Sequence, residues 1–350
     1  MRTVIFSPPL RHVSGGLAAI WDLAGILSRQ GRRVALVSAG ADRTPPELPA
    51  RIPRLLWNPE GTFLHPDDLW LVPEGWPNAI APGIRAGAHV LVYVQNWAFM
   101  MTTLPESVTW KKLAAGSRPA RPMRFLAASG PVRYFLCEIL GLDEQNVMSD
   151  VLPPAVHPAF FREHARSGGR VRVAFMPRKN KALADQVRRI ALALLEAAGI
   201  ETEFVSVRHL DHEAVAGVLA SCHIFLSTGF PEGFALPPAE AMACGCVPVG
   251  FSGLGGFEYM RNPEPHPLPG LFEPPFALAR KFRGGNGLFV ADGDVLGAAR
   301  ALTHAVGLAR ADNGRWKELV GNGLKTALAY SRQSLEEKVD EIWKKFDQTF

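Results

Sequence analysis

At 350 residues the chain is long enough for two domains of ordinary size, each burying its own core. It is 47% hydrophobic and 20% charged, with 33 glycines and 29 prolines scattered along it, a composition that predicts a globular protein with many tight loops rather than a disordered tract. The net charge of +5, from 38 basic and 33 acidic residues, comes without a nucleic-acid-binding motif, so no nucleic-acid partner is expected. No apolar run approaches the roughly 20 residues needed to cross a bilayer, and "MRTVIFSPPLRHVSGG" lacks the core of a signal peptide. Cys137, Cys222, Cys244 and Cys246 have no metal-ligand or CxxC spacing, which reads as reduced thiols in a cytoplasmic protein; attachment at the inner membrane face stays compatible.

In chain order, "TVIFS" (3–7) reads as a buried strand stopped by Pro8 and Pro9. Ser14, Gly15 and Gly16 then lead into "LAAIWDLAGILSRQ", a helix ended by Gly31, and "RRVALVSAG" (32–40) is the next strand. Strand, glycine loop, helix and strand make a βαβ unit, so a parallel sheet flanked by helices is expected. "LWLVPE" (69–74), "HVLVYVQN" (89–96) and "FLAAS" (125–129) extend it, the last followed by the helix "GPVRYFLCEILGL". The proline-rich stretch 151–169 breaks the alternation, and a linker is placed at 156–169, between a first domain over 1–155 and a second over 170–330. There "RVRVAFM" (170–176), "TEFVSV" (202–207) and "HIFLST" (223–228) read as strands, with helices at 182–199 and 212–222 between them. Residues 331–350 hold a charged amphipathic helix expected to pack back toward the first domain. The proline-rich stretch 261–285 receives no role.

Ligands of doubly wound sheets bind beyond the carboxyl ends of the strands. At that end of "HIFLST" lies "GFPEGFALPPAEAMACG", with Glu232 in the loop and Glu240 within about a turn of a helix opened by Pro237 and Pro238. A helix start offers free N–H groups and the positive end of its dipole, an anion site, and Gly233 permits close backbone approach. "SGLGGFEYM" repeats the pattern with Gly255, Gly256 and Glu258. Each acid alone could simply be solvated or answer the helix dipole. "MPRKNK" (176–181) follows the first strand of the second domain, and its Arg178, Lys179 and Lys181 suit phosphate. In "ADGDV" (291–295) Asp294 reads as a helix N-cap.

"EGFALPPAEAMACGCVPVGFSGLGGFEYM" closely resembles the donor-binding signature of retaining family-4 glycosyltransferases with the GT-B fold. It departs at Ala235, where that family commonly has glycine, and the Arg–Lys spacing is shorter than the family's commoner one. The resemblance implies an α/β protein of two Rossmann-like doubly wound domains facing each other across a cleft, with the acceptor on the first and the nucleotide-sugar on the second. It further implies sugar transfer from a UDP-, GDP- or dTDP-sugar to a glycan, lipid-linked or other hydroxyl acceptor, with retention and without a metal or other cofactor. Residue by residue, Arg178 with Lys181 or Lys179 would hold the diphosphate. Gly233, Phe234, Ala235 and Leu236 would frame it, Glu240 would read the ribose, and Glu232 would serve the donor sugar. Gly15 and Gly16 would admit donor and acceptor near the first helix, and Gln95, Asn96 and Trp97 would point toward the sugar. The basic stretch 109–125 reads as a solvated loop, or as contact with an anionic glycan or lipid headgroups. A nucleotide-sugar epimerase of the same fold and a non-catalytic nucleotide-sugar-binding module are the alternatives.

Overall fold

The computed structural model describes residues 1–9, 14–38, 48–49, 51–117, 121–162, 169–271 and 284–349. It divides into two compact units, Met1–Pro154 with Leu335–Phe350, and Ala155–Ser334.

The first unit carries a seven-stranded sheet of β1 (Arg2–Ser7), β2 (Arg33–Ser38), β3 (Arg54–Leu56), β4 (Asp68–Pro73), β5 (His89–Val94), β6 (Arg124–Ala127) and β7 (Val147–Val151). Its order is β3-β2-β1-β4-β5-β6-β7 and its described ladders are parallel. The strand order reverses direction between β1 and β4, the switch point at which such sheets take ligands. The helices are α1 (Gly15–Arg29), α2 (Ile80–Ala86), α3 (Trp97–Thr102), α4 (Trp110–Ala115) and α5 (Gly130–Tyr134). Ser14 caps α1 by accepting the Leu17 N–H, and Gly31 at φ +77 turns the chain out of it. The helix expected over 130–142 widens after Tyr134 into one π-type turn, Phe135–Ile139. Strands β3 and β7 are additions to the sequence reading; their edge positions leave the alternation too polar and too short to detect. Residues 39 and 40 of the expected second strand and Val13 of the first glycine loop lie outside the described residues.

The second unit has a five-stranded parallel sheet, ordered β12-β11-β10-β8-β9, from β8 (Val171–Phe175), β9 (Thr202–Ser206), β10 (Ile224–Ser227), β11 (Val247–Phe251) and β12 (Leu288–Val290). Its helices are α6 (Lys181–Ala197), α7 (His212–Ala220), α8 (Leu236–Ala243), α9 (Val295–Ala311) and α10 (Gly314–Leu328). The linker expectation over 156–169 needs correction at its start. Val156 and Phe160 are fully buried against Leu219, Ala239 and Cys244, because apolar side chains of that size gain more by joining a core than by spanning water. Residues 163–168 of that stretch, and 272–283 of the proline-rich one, lie outside the described residues.

Helix α11 (Arg332–Thr349) begins in the second unit and packs on the first. Trp343, 1% exposed, donates its indole N–H to Thr3 Oγ1 at 2.9 Å, and Lys338 and Lys345 both reach Asp150, at 2.9 and 2.8 Å. No helix among the described residues is long and apolar enough to cross a membrane.

Candidate donor site

The candidate site gathers at the carboxyl edge of the second sheet, on the loops that leave β8, β10, β11 and β12. After β8, Asn180 adopts φ +53, a left-handed conformation that asparagine tolerates, and starts α6. Its amide donates to the carbonyls of Thr228 and Phe230, at 2.9 and 3.0 Å, which straps the basic loop to the loop after β10. Lys179 then meets Glu232: Nζ to Oε1 is 2.7 Å. Arg178 is exposed and forms no ion pair among the described residues. Lys181 is placed differently. Once Asn180 caps α6, residue 181 lies in its first turn and its ammonium pairs with Asp185 one turn on, at 2.6 Å. Of the two lysines, Lys179 is the one beside Glu232, and Lys181 is the one paired along α6.

Glu232 is clamped through its backbone. Its N–H donates to the Gly253 carbonyl at 2.8 Å, and its carbonyl accepts the Gly255 N–H at 3.0 Å. The two glycine loops thus touch: a Cβ on Gly255 would lie 2.3 Å from the Gly233 carbonyl carbon and 2.5 Å from the Glu232 oxygen. Glycine at 255 serves this crossing of loops rather than approach to a ligand. At Gly256 a Cβ would strike Met260 Sδ at 2.5 Å.

Glu240 is the buried acid of the group. Only 7% of it is exposed, its carboxylate has no hydrogen-bond partner among the described residues, and burial pushes its pKa up to about 7. The loop before it is held by an aromatic trio. Phe234 packs against Tyr259 and Tyr330 at centroid distances of 5.3 and 5.1 Å, and the Tyr259 hydroxyl donates to the Ala235 carbonyl. Burial raises the Tyr259 phenol well above its usual value, and the negative charges of Glu240 and Glu232 add to the effect. The Phe234 side chain is therefore core, 7% exposed, and any ligand contact at this position falls to backbone.

Two expectations change here. The start of α8 is a poorer anion site than a generic helix start, because Pro237 and Pro238 have no N–H and the Leu236 N–H donates to Phe234 O at 2.9 Å. Glu258 belongs to a short 3-10 turn, Gly255–Glu258, rather than to a longer helix, and it accepts the Tyr330 hydroxyl at 3.2 Å. Asp294 caps α9 through the Gly297 N–H at 2.8 Å. Asp292, two residues before it, carries a bond that sequence reading missed: its carboxylate accepts the Gly253 N–H at 2.9 Å.

In the first unit a second polar group forms at the carboxyl edge of its sheet. A Cβ on Gly16 would lie 2.3 Å from Gln95 Oε1, so these two sequence candidates are neighbours, whereas Gly15 has open space. Asn96 corrects toward a structural role: it is 8% exposed, its Oδ1 caps α3 through the Ala98 N–H at 3.0 Å, and its own N–H donates to Glu74 Oε1 at 2.8 Å. The Gln95 Nε2 and Trp97 Nε1 groups are buried without partners among the described residues. Glu74, which no motif marks, is 3% exposed, and burial raises its pKa to about 7 against the N–H bonds of Gln95 and Asn96.

Solved structures share this architecture end to end. A glycosyltransferase from Rickettsia africae superposes with a TM-score of 0.67 over 98% of both chains at 16% identity. The fold is GT-B. A sucrose-phosphate synthase from Thermosynechococcus elongatus shares the GT-B architecture over the whole of both chains, with a TM-score of 0.65 and 13% identity. Among curated proteins, an alpha-1,6-glucosyltransferase of Actinobacillus pleuropneumoniae is 32% identical over 130 residues, 37% of this chain and 38% of that protein. The match therefore spans well under half the length of that relative. No protein-family model matches the chain.

Proposed function

We propose that the protein is a retaining glycosyltransferase that moves a sugar from a nucleotide-sugar to a hydroxyl acceptor. The observation that carries this reading is Glu240, a buried carboxylate with no hydrogen-bond donor among the described residues, on the helix that follows the loop of the Glu232–Lys179 pair. A buried carboxylate needs hydrogen-bond donors, and an ionised one accepts only; the two hydroxyls of a ribose supply that need. Arg178 and Lys179 would meet the diphosphate, Arg with its planar fork and Lys as a mobile charge. As the bond from the anomeric carbon to the diphosphate breaks, negative charge grows on the leaving oxygen, and fixed donors aimed there contribute about 3–4 kcal/mol each. Glu232 would hold the donor sugar and face the positive charge at its anomeric carbon. The acceptor hydroxyl attacks on the face that the leaving group vacates and gives its proton to the departing diphosphate oxygen, which keeps the configuration and requires no carboxylate nucleophile.

The 32% identity to an alpha-1,6-glucosyltransferase supports a glucosyl donor as the first to test. UDP-, GDP-, ADP- and dTDP-glucose are each titrated by calorimetry, with sugar release followed by mass. One of them should bind with a Kd below millimolar and be turned over slowly to free glucose without acceptor. Failure of every nucleotide to bind refutes the reading. The exposed Lys111 and Lys112 of α4 support a companion proposal, contact with an anionic acceptor or headgroup, which co-sedimentation with anionic vesicles tests.

A further inference from the structure

The loop after β12 contains an acid that the donor chemistry above leaves unused. Asp292 accepts the backbone N–H of Gly253 at 2.9 Å. The Gly253 carbonyl in turn accepts the N–H of Glu232, and Glu232 bridges to Leu254. Two hydrogen bonds therefore link the Asp292 carboxylate, through the backbone of the single residue Gly253, to the residue placed at the donor sugar. The contact is tight on the side-chain side too. A Cβ on Gly253, which sits at φ +67, would lie 2.9 Å from both Cβ and Cγ of Glu232. Next to it Leu254 holds φ +65 and ψ −56, a conformation that costs an L-residue about 1–3 kcal/mol and persists only where the surroundings over-determine it. Asp292, together with the Ser252 hydroxyl that accepts the Leu254 N–H at 3.3 Å, supplies that constraint.

We infer that Asp292 is a positioning residue for Glu232: its carboxylate anchors the 252–255 loop and so sets where the Glu232 carboxylate meets the donor sugar. The inference rests on the reading of Glu232 as the sugar-side acid. A carboxylate suits the task because it takes backbone N–H groups through charge-assisted bonds, roughly twice as strong as neutral ones. An asparagine keeps one acceptor oxygen, whereas an alanine keeps none. Arg178 and Lys179 lie on the loop after β8, which Asn180 ties to Thr228 and Phe230 rather than to 252–255, so diphosphate binding should suffer less than turnover.

The test uses Asp292→Ala and Asp292→Asn in the full chain. Binding of the bare nucleoside diphosphate is measured by calorimetry, and glucose release from the matching nucleotide-glucose gives kcat. Asp292→Ala should lower kcat about 10- to 100-fold, the loss expected of a reacting group misplaced by about 1 Å, with Kd for the diphosphate changed less than about 3-fold. Asp292→Asn should recover most of the kcat. A wild-type kcat in Asp292→Ala overturns the inference. So does a folded Asp292→Asn that is as slow as the alanine variant, or a kcat that falls only in step with diphosphate affinity. Should the wild type turn over no nucleotide-sugar, the donor reading fails, and a crystal structure of Asp292→Ala still decides the positioning. Glu232 Oε1, now 2.7 Å from Lys179 Nζ, should move by more than about 1 Å; an unmoved carboxylate refutes it.

Discussion

Burial pushes the Glu240 carboxyl up to a pKa of about 7, and no donor among the described residues offsets it. Its ordinary value is 4.5, so the folded chain holds this proton more tightly than the unfolded chain does. The stability it allows is therefore complete below about pH 4.5 and is lost as pH rises toward 7, up to about 3 kcal/mol in all. Glu240→Gln should accordingly unfold at a higher temperature than the wild type at pH 8, and its thermal midpoint should fall less between pH 5.5 and 8. The same variant should lose donor affinity by about 10- to 100-fold, as two hydroxyl bonds to a charged acceptor are weakened. Donor binding near pH 6 should release a proton, seen as a dependence of calorimetric enthalpy on the buffer. The lysines separate in the same way. Lys179→Met should weaken nucleoside diphosphate binding at least 10-fold, and Lys181→Met, which removes only an exposed helical pair, less than 2-fold.

Among the elements, the loops after β10 and β11 behave as one piece, because Gly255 packs on the Gly233 peptide. Gly255→Ala places a methyl 2.3–2.5 Å from backbone that has nowhere to go, so turnover of the donor should drop about 100-fold. Gly15→Ala, with nothing within 4 Å, should leave turnover within about 3-fold; steady-state kinetics of the pair checks both. This crossing also shows what sequence could convey. Glu232, Glu240 and the two glycine loops were legible, because a strand, a loop and a helix start in fixed order leave few places for their side chains. That Lys179 and not Lys181 meets Glu232 was not, since it depends on α6 starting at residue 181, which the left-handed Asn180 sets. Asp292 was illegible for a different reason: its partner Gly253 is 39 residues away and belongs to another strand's loop. Glu74 likewise gains its meaning from the turn after β5, where the Asn96 N–H donates to it.

At the scale of the whole molecule, α11 completes the first unit rather than the second. Trp343, Phe346 and Val339 are buried, and the ion pairs of Lys338 and Lys345 to Asp150 surround them. Trp343→Ala should destabilise the first unit by about 3–5 kcal/mol. Amide exchange should then quicken in β1 and β4 and stay unchanged in β10 and β11. The bond from Trp343 to Thr3 joins residues 340 positions apart, and this separation has a consequence for synthesis. A ribosome delivers the β strands of the first unit early but the helix that covers them last, after the whole second unit has emerged. The second unit, whose residues are contiguous, can close on itself while the first still waits with its apolar surface uncovered. The unit whose strands precede the second unit in the chain is thus completed only after it, and its apolar surface is exposed for longer during synthesis.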